Sequence, residues 1–130
     1  MKKIFLVALS ILALTACKKE PGEGGFASIE GKLYVKNYDP YFQIKLSEHY
    51  LPGENVYIIY GNGKEVGNSV KTSYDGSFKF NYLQKGTYKV FAVGKDSAAA
   101  NRGNETSVLR EITITEKKQN SDLGDLTILN

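Results

Sequence analysis

Residues Thr72–Gly94 read TSYDGSFKFNYLQKGTYKVFAVG, with large apolar side chains at alternate positions. Phe78, Phe80 and Tyr82 alternate with polar residues before the next glycine, and the same alternation resumes at Tyr88. A period of two places successive side chains on opposite faces of an extended strand. This central stretch therefore predicts two neighbouring β-strands, each with one face in the core.

A turn signal precedes the first of these strands. Asp75-Gly76 follows a weaker apolar pattern at Val66 and Val70 and comes directly before the aromatic strand. Asp-Gly suits a two-residue hairpin turn, because the central positions of such a turn need a positive φ. We therefore expect a tight hairpin here, with Gly76 in the left-handed region.

The same alternation continues in both directions from this centre. No stretch has a sustained helical period, and turn residues such as Pro52-Gly53 and Gly61-Asn62-Gly63 interrupt the pattern at short intervals. Seven to eight short strands with this punctuation predict an all-β, antiparallel β-sandwich. The other predicted strands contain Ile29, Leu33 and Val35; Phe42, Ile44 and Leu46; Val56 to Tyr60; Val108, Ile112 and Ile114; and Leu126 and Ile128.

The central stretch also resembles a known family of modules. Its spacing is similar to the core pattern of carboxypeptidase-regulatory-like, transthyretin-like and Cna-B-type domains, and the closing SDLGDLTIL resembles their last strand. The resemblance runs from Glu54 to Leu129 and implies a transthyretin/prealbumin-like Greek key of about seven strands. Modules of this type include stalks, adhesin repeats, accessory domains and carriers, so it does not fix a function. The matching residues are Thr72, Asp75, Gly76, Phe78, Phe80, Leu83, Gly86 and Tyr88.

One transthyretin-like family is an enzyme, the hydroxyisourate hydrolase. Its site resembles a cluster of histidines and an arginine closed by a carboxy-terminal Tyr-Arg-Gly-Ser. The present sequence has one histidine, His49, and ends with Thr127-Ile128-Leu129-Asn130. We expect no such activity.

The amino-terminal segment has the layout of a secretory signal peptide. Lys2 and Lys3 precede a mostly apolar run, Ile4 to Leu14, and small residues follow it. A membrane-spanning helix needs about 20 apolar residues, and this run is shorter. We expect residues 1–16 to direct export and then to be removed.

The segment Leu14-Thr15-Ala16-Cys17 resembles the lipobox of bacterial lipoproteins, in which the cysteine sulfur receives a diacylglycerol. Cys17 is the only cysteine, so a disulfide within the chain is impossible. Several acyl chains on one residue exceed what marginal membrane binding needs. The predicted organisation is a signal peptide (1–16), a lipidated cysteine with a flexible, glycine-rich tether (17–26), and a β-sandwich domain (27–130).

The resemblance also bears on location. Small lipoproteins of this pattern are similar to those of Bacteroidetes-type bacteria, and Lys18 does not match the aspartate that retains enteric lipoproteins at the inner membrane. We expect an outer-membrane anchor, in either leaflet.

Charge and composition argue against several functions. Removing residues 1–16 takes away Lys2 and Lys3, which leaves 15 basic and 14 acidic side chains. The pI of 8.9 therefore belongs largely to the precursor, and nucleic-acid binding, which needs a clustered basic face, is not expected.

His49 has no other nitrogen or sulfur ligand for zinc nearby in sequence, and no Gly-x-Ser-x-Gly motif is present. We expect no cofactor, no metal and no catalysis; calcium binding by Asp122 and Asp125 is a minor alternative.

The remaining candidates are binding surfaces. Nine tyrosines are many for this length, and tyrosine joins a flat apolar ring to a hydroxyl, which suits protein or sugar recognition. The connection Gly94–Ser107 is long for a hairpin, and its small, polar residues predict a mobile loop. The alternatives are half-buried tyrosines and a loop without a partner. The predicted interaction surface consists of Tyr34, Tyr57, Tyr74, Asn101 and Arg102.

These observations predict a lipid-anchored, non-catalytic interaction module of the cell envelope with a protein or glycan partner. The alternative is an accessory lipoprotein of an outer-membrane uptake system that binds a small ligand or glycan. A contiguous tyrosine patch or pocket would favour ligand binding, whereas a featureless polar surface would favour a spacer.

The anchor is directly testable. We expect Cys17→Ser to abolish fatty-acid incorporation, because the hydroxyl cannot form the thioether, and to leave an unprocessed or mis-sorted precursor. Metabolic labelling with a fatty acid measures this. Equal label in the wild type and the variant would contradict the lipoprotein assignment.

Overall fold

The computed structural model describes residues 20–130, and these contain eight β-strands and no helix. The predicted signal peptide and Cys17 lie outside the described residues. Within residues 20–130 no helix could span a membrane. The strands are β1 (Glu23–Tyr38), β2 (Lys45–Tyr50), β3 (Asn55–Tyr60), β4 (Asn68–Lys71), β5 (Ser77–Leu83), β6 (Gly86–Lys95), β7 (Glu105–Ile114) and β8 (Asn120–Leu129).

The first sheet is built around β1, which has 16 residues and hydrogen-bonds three other strands. Along one edge β8 pairs with residues Ser28–Lys36. Along the other edge β5 pairs with residues Glu23–Lys32 and β2 with residues Tyr34–Tyr38. One long strand therefore fixes the positions of three shorter partners.

The second sheet has the order β4-β3-β6-β7, with every pair antiparallel. The core lies between the two sheets and takes every second side chain of the central strands. Burial of each large apolar side chain contributes about 1.5–3 kcal/mol to folding. The buried apolar residues are Ala27, Ile29, Leu33, Val35, Val56, Ile58, Phe78, Phe80, Leu83, Tyr88, Val90, Ala92, Ile114, Leu126 and Ile128.

The predicted all-β sandwich is confirmed, with eight strands in place of about seven. One pair departs from the antiparallel pattern, since β1 and β8 run parallel. Parallel neighbours need a long crossover connection. Here the rest of the domain supplies it, because the chain crosses to the second sheet before β8 returns beside β1.

The second strand differs from the prediction. The alternation of Phe42, Ile44 and Leu46 predicts a strand over these residues, but β2 begins only at Lys45 and all its residues are exposed. Ile44 and Leu46 are 63% and 67% exposed. The backbone N–H groups of Gln43 and Ile44 bond the Asp39 carboxylate, so these residues form a turn.

The Asp75-Gly76 turn also differs from the predicted hairpin. Gly76 has the expected positive φ, +82°. However, β4 belongs to the second sheet and β5 to the first, so the turn carries the chain between sheets. Its hydrogen bond runs from Gly76 N–H to the Ser73 carbonyl, which makes Tyr74 and Asp75 the central residues.

The domain starts earlier than the predicted boundary at residue 27. Strand β1 begins at Glu23, inside the segment predicted as tether. Gly22 is buried, its N–H donates to the Tyr88 hydroxyl at 2.9 Å, and its carbonyl accepts from Gln84 N–H at 2.8 Å. No periodic signal marks this part of the strand, because its glycines form a bulge. Three residues, Lys18 to Glu20, separate Cys17 from Pro21.

Two glycines with positive φ offer a matched test of the turn between the sheets. Gly53 (φ +69°) has open space where a Cβ would lie, whereas a Cβ at Gly76 would lie 2.9 Å from the Leu33 carbonyl oxygen. We expect Gly53→Ala to cost about 1–2 kcal/mol from backbone strain alone, and Gly76→Ala to cost distinctly more. Denaturant unfolding measures both, and equal losses would contradict the close packing at Gly76.

Candidate functional site

The two ends of the sandwich have different surroundings. Strand β1 begins at Glu23, close in sequence to Cys17, and runs for roughly 50 Å of extended chain to Tyr38. We call the first end the anchor-proximal end; its loops are residues 61–67, 84–85 and 115–119. We call the other the distal end; its loops are residues 39–44, 51–54 and 96–104.

A cleft opens between the sheets at the distal end. It has two adjoining lobes, of about 490 Å³ and 290 Å³, which share Lys95, Gly103 and Asn130. The larger lobe lies within the range usual for small-molecule sites. We refer to the two lobes together as the distal cleft.

The larger lobe has an apolar floor and a polar rim. Its apolar floor comes from the buried Val35 and Ile128 and from Leu51, which packs against the core; Val93 and Leu129, which alternate with the inward-facing residues of β6 and β8, complete the apolar lining. Its rim carries amide, imidazole, ammonium and carboxylate groups: Asn37, His49, Glu54, Lys95, Glu105 and Asn130. Hydrogen-bond donors and acceptors therefore surround an apolar base.

Two rim amides are held in fixed orientations. Asn37 Nδ2 donates to Ser47 Oγ at 3.0 Å, and Asn130 Nδ2 donates to Asn37 Oδ1 at 3.0 Å. Asn130 N–H also donates to the Lys36 carbonyl. These bonds join β2, β1 and the residue after β8, so the rim is ordered before any ligand arrives.

Thr72 builds the 51–54 wall of the cleft. Its buried hydroxyl donates to the Leu51 carbonyl at 2.6 Å and accepts from Glu54 N–H at 3.0 Å. Its backbone N–H and carbonyl bond Glu54 and Gly53. A single threonine thus satisfies four polar groups of the turn that carries Leu51 and Glu54.

Asp39 builds the wall of the smaller lobe. Its carboxylate accepts from the backbone N–H groups of Ile44 and Gln43, and these bonds, that from Ile44 foremost, lower the pKa of Asp39. Phe42 adopts a left-handed conformation (φ +55°) in this turn. Its ring lies 5.8 Å from that of Tyr38, which places an aromatic pair beside the cleft.

The 96–104 loop lies beside both lobes. Asp96 N–H bonds the Asn104 carbonyl, and the Asp96 carbonyl accepts from Gly103 N–H. The Asp96 carboxylate accepts from Ala98 N–H at 2.8 Å. The loop is therefore closed by its own hydrogen bonds. Arg102 extends from it over the ring of Tyr41, 5.9 Å from the centroid.

The structure does not gather the predicted interaction residues into one surface. Asn101 and Arg102 lie in the loop beside the distal cleft. Tyr34 lies on the outer face of the first sheet, and Tyr57 lies on the outer face of the second. Tyr74 is 92% exposed in the turn between the sheets.

Tyr34 belongs to a polar cluster rather than to a pocket. Its ring packs edge-on against Tyr50, with centroids 5.0 Å apart. The Tyr50 hydroxyl donates to Asp125 Oδ2 at 3.0 Å, and this bond raises the pKa of Tyr50. Lys32 lies over the Tyr50 ring and 3.9 Å from the Asp75 carboxylate. These contacts link β1, β2, β8 and the 73–76 turn, which is a structural role.

Tyr57 belongs to an apolar strip across the second sheet. Its ring stacks on Phe91, with centroids 5.0 Å apart and planes 21° from parallel. Neighbouring strands lie about 4.8 Å apart, so both rings stand up from the sheet and cover one face of each other. Leu109, paired with Phe91 and 44% exposed, extends the strip.

Three residues that line the cleft are not among the predicted interaction residues: Tyr38, Phe42 and Lys95. The alternating pattern places Phe42 in a strand. The dipeptide Asp39-Pro40 is a turn signal that could have placed Phe42 in a loop. No local signal could show that this loop and Lys95 lie beside the same cleft.

His49 lies on the cleft rim. Its Nδ1–H donates to the Tyr50 carbonyl at 2.8 Å. Among residues 20–130 no three His, Cys, Asp or Glu side chains lie close enough together to hold a metal ion. The amide, imidazole, ammonium and carboxylate groups of the rim can bind a ligand by hydrogen bonds.

Comparison with known proteins identifies the amino-terminal segment. Residues 1–17 match the family model of the prokaryotic membrane lipoprotein lipid attachment site. The chain is a bacterial lipoprotein, anchored to a membrane of the cell envelope. The match ends at Cys17, the residue predicted to carry the lipid.

The folded domain has weaker similarity to known proteins. The structure is similar to the crystal structure of a candidate carbohydrate-binding protein from Pseudomonas aeruginosa, with a TM-score of 0.48 and 15% identity. The likeness covers 89% of this chain and 94% of the other. These values do not assign a ligand to the lipoprotein. No curated protein matches the sequence.

Thr72 provides a test of how the cleft wall is held. We expect Thr72→Val to cost about 1–3 kcal/mol of stability, because Glu54 N–H and the Leu51 carbonyl each lose a buried partner. Thr72→Ser retains the hydroxyl and should cost distinctly less. Denaturant unfolding and amide exchange at Glu54 measure the two effects. Unchanged exchange at Glu54 in Thr72→Val would show that the hydroxyl does not hold the turn.

Proposed function

We propose that this lipoprotein is a non-catalytic binding module that holds a neutral, hydroxyl-rich ligand of the glycan class in the distal cleft. The observation that carries the proposal is the pairing of an apolar floor with a rim of oriented donors and acceptors. Binding sites typically combine apolar lining with a few fixed polar groups. A spacer domain needs no such concavity.

The chemistry of the cleft favours a neutral polyol over other ligands. The rim of the larger lobe has one lysine and two glutamates, Lys95, Glu54 and Glu105, so it offers little net charge to attract a strongly charged ligand. The fixed amides of Asn37 and Asn130 can both donate and accept. Sugar hydroxyls need both kinds of partner, and their apolar C–H faces suit rings such as Phe42 and Tyr38.

The position of the cleft agrees with this role. It lies at the end of β1 opposite the lipid anchor, where envelope glycans can reach it without competition from the bilayer. Loops at one end of a rigid sandwich commonly carry recognition. Together with Lys18 after the cysteine, this arrangement favours an outer-membrane accessory lipoprotein.

The roles of the motif residues support a relation to the carboxypeptidase-regulatory-like and transthyretin-like modules. Thr72 binds the neighbouring turn, Gly76 and Gly86 have positive φ, and Tyr88 is fully buried. Each of these motif positions thus has a structural task, which explains why the pattern predicts fold better than function.

A protein partner at the Tyr57, Phe91 and Leu109 strip is the second candidate. The exposed Leu109 and the half-buried Tyr57 and Phe91 beside it form an apolar surface that favours it. This surface lies on the outer face of the second sheet, away from the cleft floor, so variants in the cleft distinguish the two functions.

The experiment is calorimetric titration of the lipoprotein in nanodiscs with a panel of neutral oligosaccharides. We expect Lys95→Met to weaken binding of the ligand about 10–100-fold, because one charged hydrogen bond contributes about 1.5–3 kcal/mol. Lys89→Met, on the same strand but outside both lobes of the cleft, is the matched control and should bind like the wild type.

The outcomes separate the candidates. Absence of binding to every oligosaccharide, or equal affinity in the wild type and Lys95→Met, would reject the cleft as a glycan site. A partner protein whose binding survives Lys95→Met but is lost in Tyr57→Asp would support the strip.

A further inference from the structure

Two exposed aromatic side chains lie at the anchor-proximal end. Phe26, near the start of β1, is 65% exposed, and Tyr82, near the end of β5, is 71% exposed. Ala27 pairs with Leu83, so the two aromatic residues flank the same point of the strand pair. Large aromatic side chains stabilise a fold most when they are buried. In the isolated domain these two rings therefore add little to its stability.

The backbone departs from regular strand geometry to expose both rings. Leu83 pairs with both Glu23 and Ala27, so Gly24, Gly25 and Phe26 form a bulge. A Cβ at Gly25 would collide with the Leu83 carbonyl. On the partner strand Tyr82 has φ +60°, which is unfavourable for a residue with a side chain. Bulges re-aim side chains, and strained backbone often marks a function.

A shallow groove of about 270 Å³ runs beside Phe26. It is mostly apolar, and two lysines lie at its margin, one of which, Lys117, has its Nζ 5.2 Å from the centre of the Phe26 ring. The lining residues are Gly24, Gly25, Phe26, Leu83, Gln84, Lys85 and Lys117. We call Phe26, Tyr82, Lys85 and Lys117 the anchor-proximal patch.

The lipid anchor restricts the position of this patch. Cys17 carries the lipid, and Pro21 packs against Gly61 and Gly86 of the folded domain. Four residues of fully extended chain span at most about 14 Å. Because Gly22 is held by Tyr88 and Gln84, the domain cannot move further from the bilayer without breaking those bonds.

From these observations we propose that the anchor-proximal patch contacts the bilayer that holds Cys17, with Phe26 and Tyr82 in its interfacial layer. Aromatic rings favour this layer, because it is apolar on one side and wet on the other. Lysine side chains can lay their methylene stems along apolar surface while the ammonium group reaches phosphate. The domain would then stand end-on, with the distal cleft facing away.

Charge has a secondary part in this contact. Lys64, Lys85, Lys117 and Lys118 share the end with Glu20, Glu23, Glu65 and Glu116. Among residues 20–130 the two sets balance, and Lys18 and Lys19 precede them next to Cys17. We therefore expect the contact of the patch itself to depend on the aromatic rings.

The chain has no tryptophan, so one introduced tryptophan reports a single position. We would reconstitute lipidated Phe26→Trp and Tyr41→Trp proteins into vesicles whose lipids carry bromine close to the headgroup. Tyr41 is 64% exposed, much as Phe26 is, but lies at the distal end. We expect the bromine to quench most of the emission of the Phe26→Trp protein and to leave that of the Tyr41→Trp protein unchanged. Melting curves equal to the wild type verify that both variants fold.

Every outcome bears on the proposal. Unquenched emission from the Phe26→Trp protein would show that the domain stands off the bilayer, and equal quenching of both proteins would show that it does not stand end-on; either result overturns the proposal. Quenching of the Phe26→Trp protein that persists in Lys85→Gln and Lys117→Gln backgrounds would support the dominance of the aromatic rings.

Discussion

Strand β1 constrains the arrangement of every strand in its sheet, because it must hydrogen-bond three partners while burying every second side chain. This needs a close approach at Gly31, where a Cβ would lie 2.8 Å from the Phe78 ring and 2.9 Å from the Gly124 carbonyl oxygen. Glycine allows both neighbours to approach. Once β1 is in place, β8 fixes one edge, and β5 and β2 divide the other.

The Tyr88 hydroxyl ties the beginning of the described chain, near the predicted anchor, to the sandwich. The buried Tyr88 hydroxyl donates to the Gln84 carbonyl and accepts from Gly22 N–H, and its burial raises the pKa of Tyr88. Gly22, five residues after Cys17 in the sequence, is thereby part of the sandwich. The molecule consequently has a defined polarity, with one end close to the lipid and the other formed by loops around a cleft.

The two ends of the sandwich differ in how their backbone is held and in which side chains they expose. The distal loops are held by hydrogen bonds that the Asp39 and Asp96 carboxylates accept and that the Thr72 hydroxyl donates, and these bonds fix the walls of the cleft before any ligand binds. Preorganised groups lose less entropy on binding. At the anchor-proximal end the backbone is irregular, and it leaves apolar rings exposed. Exposure of these rings is unfavourable in water and favourable beside lipid.

Local sequence was enough to predict most strands of the sandwich and the anchor. Alternation at Phe78 and Phe80 is a local property of extended chain, and the lipobox is a linear signal, so both could be recognised without a fold. The alternating pattern placed Phe42 and Ile44 in a strand, whereas they lie in a turn held by the Asp39 carboxylate. Such a turn produces no periodic pattern in the sequence. Three facts became visible only in the folded chain: Tyr34 and Tyr57 lie on opposite faces, β8 returns parallel to β1, and Asn37, Lys95 and Asn130 meet at one cleft. They depend on contacts between residues tens of positions apart, and a period of two specifies which face a side chain occupies but not which strand lies beside it.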